Sequence, residues 1–197
     1  MVNKTKEILR IAVNCFGQKG IENTSIQHIA DLCGVAQTTI IYQFKTKTKL
    51  LAACIDFTWR SNDEFTTSLL SSKDNARELI TGHFNGNLKW CDKKPNDARF
   101  LLLIYYMASH NPEIKKFNQE ILRTSIGKIE AILYAGIREK LFDIKNSEVS
   151  IISELLYENL MGALINYVSA HGGKANKSKI EKKWQYLFKQ LLYATKA

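Results

Sequence analysis

The chain has 197 residues, of which 45% are hydrophobic, and a formal net charge of +9. This length and apolar content are sufficient to bury a substantial core, either as one helical unit or as a small domain joined to a larger one. The longest apolar run, Phe100–Ala108, is far shorter than the roughly 20 residues of a membrane span, and the positive charge fits either a polyanionic partner or a solvated lysine-rich surface.

Three short amphipathic patterns follow one another within Ile8–Leu50. The first has apolar residues every three or four positions and is followed by Gly20, a residue able to take the left-handed conformation of a helix cap. Thr24 and Gln27 then stand at the spacing of a capping box, so a second helix is expected to run from there to about Cys33.

A third short helix is expected from Gln37 to about Tyr42. Gly34 supplies the tight turn before it, and Ile40, Ile41 and Phe44 face the core of the three helices while polar residues between them point outward. This arrangement is that of a helix-turn-helix unit, whose second helix enters the major groove of DNA. The sequence therefore predicts DNA binding.

The predicted DNA contacts lie on the outer face of this unit or beside it. Gln37 can form a bidentate contact with adenine, the two threonines after it offer hydroxyl and methyl groups, and Tyr42 can reach a phosphate or a thymine methyl. The lysines that follow, with a fourth helix capped by Thr46, are placed to meet phosphates. The full predicted set is Thr24, Ser25, Gln37, Thr38, Thr39, Tyr42, Gln43, Lys45 and Lys47.

The remainder of the chain is predicted to be helical. Its two prolines, Pro95 and Pro112, stand among polar residues as in loops, and no alternating strand pattern of useful length occurs. The predicted fold is therefore all-α. After a fourth helix from Thr46 toward Leu70, further helices are expected at about Asn75–Asp92, Asp97–Ser109, Pro112–Leu141, Ser147–Ala170 and Ser178–Thr195.

These N-terminal residues resemble the DNA-binding domain of the TetR/AcrR family of bacterial transcriptional regulators. The matches are Ile8-Leu9, Ala12, Phe16, Gly20, Thr24-Ser25, Ile29-Ala30, Gly34-Val35, Phe44, Lys47 and Leu50. Three positions depart from the family pattern: Ala36 replaces a serine cap, Thr38 a small residue and Ile41 a tyrosine. The resemblance implies a DNA-binding domain over residues 1–50, followed over residues 51–197 by a larger helical domain for effector binding and dimerisation.

The last two helices are predicted to form a dimer interface. Each carries a wider apolar surface than one packing face requires, and in the regulators that this chain resembles the two final long helices pair with their symmetry mates in a four-helix bundle. The alternative is a monomer that buries both faces internally. The predicted interface residues are Leu156, Leu160, Leu164, Tyr167, Trp184, Leu187 and Leu191.

Aromatic and apolar residues are dense in the middle helices, with a few polar groups among them. Ordinary core packing accounts for most of these residues, and the resemblance implies that some line a pocket for a small molecule. Such a pocket would suit a mainly apolar effector. The candidates are His83, Asn87, Trp90, Leu103, Tyr106, Met107, His110, Phe117, Ile121 and Tyr157.

The sequence gives little support to an enzyme. The four histidines, one of them His171, lie on different predicted elements without a metal-ligand partner at helical spacing, and there is no phosphate-binding glycine loop. No catalytic residue, metal or cofactor is therefore predicted, and the four cysteines are expected to be small buried hydrophobes. The apolar stretch near the N-terminus is broken by Arg10 and Asn14, so it is not expected to be a secretory signal.

The predicted function is that of a cytoplasmic, homodimeric transcriptional regulator. It would repress from a palindromic operator in double-stranded DNA until a small, mainly apolar effector releases it. Two alternatives stay open: a helical small-molecule-binding protein or enzyme with a basic surface, and a nucleoid protein that binds DNA without sequence preference.

Overall fold

In the computed structural model, which describes residues 2–170 and 172–193, the chain is built from α-helices. Over those residues it forms nine α-helices, a single-turn 3-10 helix at Asn146–Glu148 and no strand. The predicted all-α fold is confirmed. The helices are α1 Val2–Lys19, α2 Ile26–Cys33, α3 Gln37–Phe44, α4 Lys47–Ser68, α5 Ala76–Lys93, α6 Pro95–Ala108, α7 Pro112–Arg138, α8 Val149–Ser169 and α9 Lys174–Leu191.

Most predicted boundaries agree with these helices to within a few residues, and the largest difference is at α9. This helix begins at Lys174, four residues before the predicted start at Ser178. Gly173, with φ of 101°, lets the chain turn there, a conformation that is accessible to glycine at little cost. The predicted end of this helix at Thr195 lies outside the described residues, as does His171.

The chain divides into two compact units. One comprises the residues up to Asp63 together with Lys94–Glu120, and the other Glu64–Lys93 together with the residues from Ile121 onward. The division therefore does not follow the predicted boundary at residue 50, because α4 runs through that position without a break. The assignment of DNA binding to residues 1–50 and of effector binding and dimerisation to residues 51–197 stays a prediction.

In the first unit, α1 packs closely against α6. The rings of Phe16 and Phe100 stack with their centroids 5.8 Å apart. One residue further along α1, a Cβ added to Gly17 would lie 2.1 Å from the carbonyl oxygen of Asn96. Only glycine permits this approach, so the first helix of the DNA-binding pattern and α6 form one packed core.

In the second unit, aromatic side chains join α5 to α9. Phe84 meets both Trp184 and Phe188 edge to face, with ring centroids 5.0 Å apart in each pair. Beside them the Tyr167 hydroxyl donates to the carboxylate of Asp92, and burial is the largest cause that raises the pKa of this tyrosine to about 12. These contacts hold the ends of α5 and α8 together.

All four cysteines are buried and free, which confirms their interpretation as small hydrophobes. Burial raises the pKa of Cys91 to about 12. None of the helices in the described ranges is long and apolar enough to cross a membrane.

Candidate DNA interface

Helices α2 and α3 form the predicted helix-turn-helix unit. Ser25 caps α2 with its side-chain oxygen, which accepts from the backbone N–H of His28 at 3.0 Å. Gly34 ends α2 in the left-handed conformation, with φ of 63° and ψ of 38°. Its N–H turns back to carbonyl groups of the helix, which is how a C-terminal glycine satisfies the last turn. The turn that the sequence predicted is therefore confirmed.

Thr24 has a different role from the predicted one. Its side chain is fully buried, and its hydroxyl donates to the carbonyl oxygen of Gly20 at 2.8 Å. The predicted capping box of Thr24 and Gln27 is wrong. Ser25 is the N-cap of α2, and the Gln27 amide donates to the carboxylate of Asp31. A buried hydroxyl with internal partners cannot reach DNA, so Thr24 is removed from the candidate contacts.

The outer face of α3 is open. Ile40 is fully buried and fixes the helix on the core, while Gln37, Thr38 and Thr39 are exposed and Tyr42 has 80% of its surface accessible. The expected core position of Ile41 is wrong, because this side chain is 41% exposed. Ala36 stands at the N-cap without a side-chain hydrogen bond, as its replacement of a serine suggested. Tyr42 is thus the tyrosine that this helix presents to solvent.

Two of the predicted DNA contacts are engaged in hydrogen bonds that hold the unit together. The side-chain amide of Gln43 donates to the Thr5 hydroxyl of α1 at 2.6 Å. The ammonium group of Lys47 donates to the carbonyl oxygen of Ile21, also at 2.6 Å. Because the partners are 38 and 26 residues away in sequence, no local pattern reveals either bond.

The link between α3 and α4 is a tight turn centred on Lys45. This residue has φ of 67° and ψ of −50°, and the Thr46 N–H donates across it to the Phe44 carbonyl at 2.8 Å. A non-glycine residue rarely takes this strained conformation. The Lys45 ammonium lies 4.7 Å from the ring centroid of Tyr42, so a cation and an exposed ring stand together at the end of the recognition helix.

Two further side chains, Thr46 and Lys4, cap helix ends in this region. Thr46 accepts from the Lys49 N–H at 3.1 Å, which confirms it as the N-cap of α4. Lys4 of α1 donates to the Cys33 carbonyl at 2.8 Å, at the C-terminus of α2, where a positive charge is favourable. Sequence reasoning missed Lys4, because the basic residue that serves the helix end comes from another helix.

The ten candidate effector residues divide between the two units. The first unit holds Leu103, Tyr106, Met107, His110 and Phe117, and the second holds His83, Asn87, Trp90, Ile121 and Tyr157. Tyr106 and His110 are exposed and pack edge to face with ring centroids 4.9 Å apart. Their assignment to an effector pocket stays a prediction.

Three of the candidates share one face of α5. His83, Asn87 and Trp90 follow each other at helical spacing, and the Asn87 amide donates to the His83 carbonyl at 2.9 Å. Burial lowers the pKa of His83 to about 4, which leaves the imidazole neutral at pH 7. The Trp90 indole nitrogen is buried, and no hydrogen-bond acceptor among the described residues reaches it.

Other places offer weaker candidates for a ligand. An open groove beside α5 contains none of the predicted effector residues; it is lined by Leu69, Arg77, Glu78, Thr81, Gly82, Asn85 and Lys89. Within the part of the chain that the structure describes, no group of three or more histidines, cysteines or carboxylates is arranged to hold a metal ion.

The predicted dimer residues are mostly covered by their own chain. Five of the seven are buried, namely Leu156, Leu160, Leu164, Tyr167 and Trp184, while Leu187 and Leu191 are partly exposed. This burial leaves little surface of the five for a partner, and their assignment to the dimer interface stays a prediction. The apolar residues that α8 does leave exposed are Ile151, Leu155 and Ile165, at 61%, 48% and 45%.

Comparisons with known proteins agree with this architecture. Residues 8–54 match the family model described as bacterial regulatory proteins, tetR family. A search of curated proteins found no match.

Solved structures match over nearly the whole length. One, described as a transcriptional regulator from Saccharomonospora viridis in complex with choline, has a TM-score of 0.87 and 16% identity, with 98% of this chain and 100% of that chain covered. A TetR transcription regulator from Haloarcula marismortui has a TM-score of 0.86 and 17% identity over the same shares. A TetR-family regulator from Pectobacterium atrosepticum has a TM-score of 0.75 and 16% identity, with 98% and 95% covered.

The resemblance found in the sequence is therefore confirmed. The family match covers the helix-turn-helix unit, and the structural likeness extends the same fold through α9. Residues 8–54 therefore match the tetR family of bacterial regulatory proteins, and the chain as a whole has the fold of solved TetR-type regulators.

Proposed function

We propose that the protein is a homodimeric repressor that binds a palindromic operator and is released from it by a small, mainly apolar effector in the cytoplasm. The observation that carries this proposal is the outer face of α3. Four polar side chains, Gln37, Thr38, Thr39 and Tyr42, are exposed on a helix whose opposite side is anchored by the fully buried Ile40. A rigid helix with a free polar face is what major-groove reading requires.

The side chains around α3 divide into those that would contact DNA and those that hold the helix in position. Gln37 and the two threonines after it would contact base edges, since they are free and lie in the first turn of the helix. Tyr42, Lys45 and the N-terminus of α4 would contact phosphates. Gln43 and Lys47 would instead keep α3 in position through their bonds to Thr5 and Ile21.

The exposed face of α8 supports a dimer. Ile151, Leu155, Gly162 and Ile165 follow one another at steps of four, seven and three residues, the spacing of a helix seam that packs against another helix. A Cβ added to Gly162 would meet nothing within 4 Å in its own chain, so this position is open to a close partner. A twofold dimer would place its two recognition helices about 34 Å apart, in successive major grooves.

The last two helices expose charges of opposite sign. The exposed Glu154 and Glu158 border the apolar residues of α8, while α9 exposes Lys182 and Lys183. Opposite charges of this kind set the register of an interface more than its strength. They support a dimer in which α8 of one protomer lies beside α9 of its partner.

Effector release would pass through α5 and α6. The candidate effector residues His83, Asn87 and Trp90 lie on α5, which ends at Lys93, and α6 begins at Pro95. Only Lys94 separates α5 from α6, and α6 packs on α1 of the first unit. We propose that effector binding is communicated along this connection and along α4, which runs without a break from the first unit into the second. Coupling between such sites is typically worth about 1–3 kcal/mol.

Selection of bound fragments from the parent genome tests the proposed function. A palindromic footprint protected by a dimer is the expected result. Uniform protection of random DNA would instead indicate a nucleoid protein, and no retained DNA would leave a small-molecule-binding protein or an enzyme. Gln37→Ala is the matched variant, because it removes a proposed base contact and leaves the hydrogen bonds of Gln43 and Lys47 that position α3 intact.

A further inference from the structure

The second unit contains two buried tryptophans whose indole N–H groups differ. Both Trp90 and Trp184 are only 2% exposed. The Trp184 N–H donates to the side-chain oxygen of Asn159 at 3.1 Å. The Trp90 N–H has no acceptor among the residues that the structure describes.

An unmatched buried N–H is costly. Leaving such a donor without a partner destabilises a protein by about 1–3 kcal/mol, and nearly all buried polar groups in native proteins are satisfied. The described residues meet this requirement at Trp184 but not at Trp90. An acceptor from outside the chain would remove the cost at Trp90.

The side chains beside Trp90 indicate which kind of molecule can carry that acceptor. Trp90 shares its face of α5 with His83 and Asn87, and none of these three side chains is ionised at pH 7. The Asn87 amide nitrogen donates to the His83 carbonyl. A face with no fixed charge also gives no compensation for burying an ion.

We propose that the Trp90 indole N–H is the hydrogen-bond donor for an uncharged effector that carries an acceptor oxygen or nitrogen on an apolar skeleton. The inference rests on the proposed function, because it assigns the chemistry of the effector that this function requires. It goes further by naming the donor atom, and by excluding carboxylates, phosphates and organic cations as the group that meets Trp90.

The test uses four probes with one bicyclic skeleton: 1-indanone, which carries a carbonyl acceptor, the hydrocarbon indane, the cation 2-aminoindane and the anion indane-2-carboxylate. Each is titrated into the full chain labelled with ¹⁵N, and the indole N–H resonances are followed. Trp90→Phe assigns one resonance and removes the donor while it keeps an aromatic ring. Trp184→Phe is the matched control, since it removes the indole whose N–H is already satisfied.

The expected result is that 1-indanone binds about tenfold more tightly than indane, as one net hydrogen bond of about 1.4 kcal/mol implies. It moves the Trp90 indole proton downfield, and both ions bind more weakly than the ketone. In Trp90→Phe the ketone and the hydrocarbon bind equally, whereas in Trp184→Phe the tenfold difference remains.

The proposal is overturned if no probe moves the Trp90 resonance, if indane equals 1-indanone in the parent protein, or if an ion binds most tightly. Operator binding by the unmodified protein is measured in the same preparation without probes. If the probes give one of these results while the protein still binds its operator, the protein is a regulator whose effector has a different chemistry. Absence of any preferred operator removes the proposed function itself.

Discussion

The contact between α1 and α6 gives a prediction whose size follows from the geometry. In Gly17→Ala the new Cβ would lie 2.1 Å from the Asn96 carbonyl oxygen and 2.8 Å from its carbonyl carbon. A carbon and an oxygen normally stay more than 3 Å apart, so the helices have to separate by about 1 Å. Because the opposing atoms are backbone, no side-chain rotation relieves the clash, and the Phe16 and Phe100 stack next to it loosens.

The free energy of unfolding should fall accordingly. Overpacking at such a site costs up to about 3 kcal/mol, and alanine offsets about 1 kcal/mol of this through its higher helix propensity. The expected net loss is about 2 kcal/mol, which corresponds to a fall in Tm of roughly 4–8 °C for a chain of this size. Thermal unfolding followed by circular dichroism at one fixed protein concentration measures it.

Gly127→Ala is the matched control for that measurement. Gly127 also lies inside a long helix, but a Cβ added there would meet nothing within 4 Å. This variant should be as stable as the parent or up to about 1 kcal/mol more stable. If Gly17→Ala unfolds at the same temperature as Gly127→Ala, the close approach of α1 and α6 is refuted.

Three further predictions concern the DNA interface and the dimer. Gln37→Ala should lose about 1–3 kcal/mol of operator affinity at one base position, whereas Lys45→Ala should weaken binding to all sequences and reduce the salt dependence; equal losses on operator and random DNA in both variants would contradict this division. Gly162→Leu should abolish the dimer in sedimentation experiments while Gly127→Leu retains it, and a stable Gly162→Leu dimer would place the seam elsewhere. Thr24→Val should lower the free energy of unfolding by about 1–3 kcal/mol, because it removes buried hydrogen bonds, yet keep the operator preference; a changed base preference would return Thr24 to the DNA contacts.

Much of the helix-turn-helix unit could be predicted from the sequence because its determinants are local. The apolar periodicity of α1 and α2, the left-handed Gly34 and the cap at Thr46 each depend on residues within one or two turns of each other. The same holds for the outward position of Gln37 and Tyr42, which follows once Ile40 is placed inward. Local chemistry determines such features wherever the unit occurs.

The tertiary structure decided which surfaces are covered and which polar groups are already engaged. The apolar stripe of α8 indicated contact but not the partner, and packing within the chain buries Leu156 while it leaves Ile151 exposed. Gln43 and Lys47 looked free because their partners on α1 and in the following loop are distant in sequence. The sequence by itself determined the helices and the DNA-reading unit, since these depend on neighbouring residues. Only the folded chain showed that α6 packs on α1 and that no described residue offers Trp90 an acceptor, because burial and hydrogen-bond partners depend on residues that folding brings together.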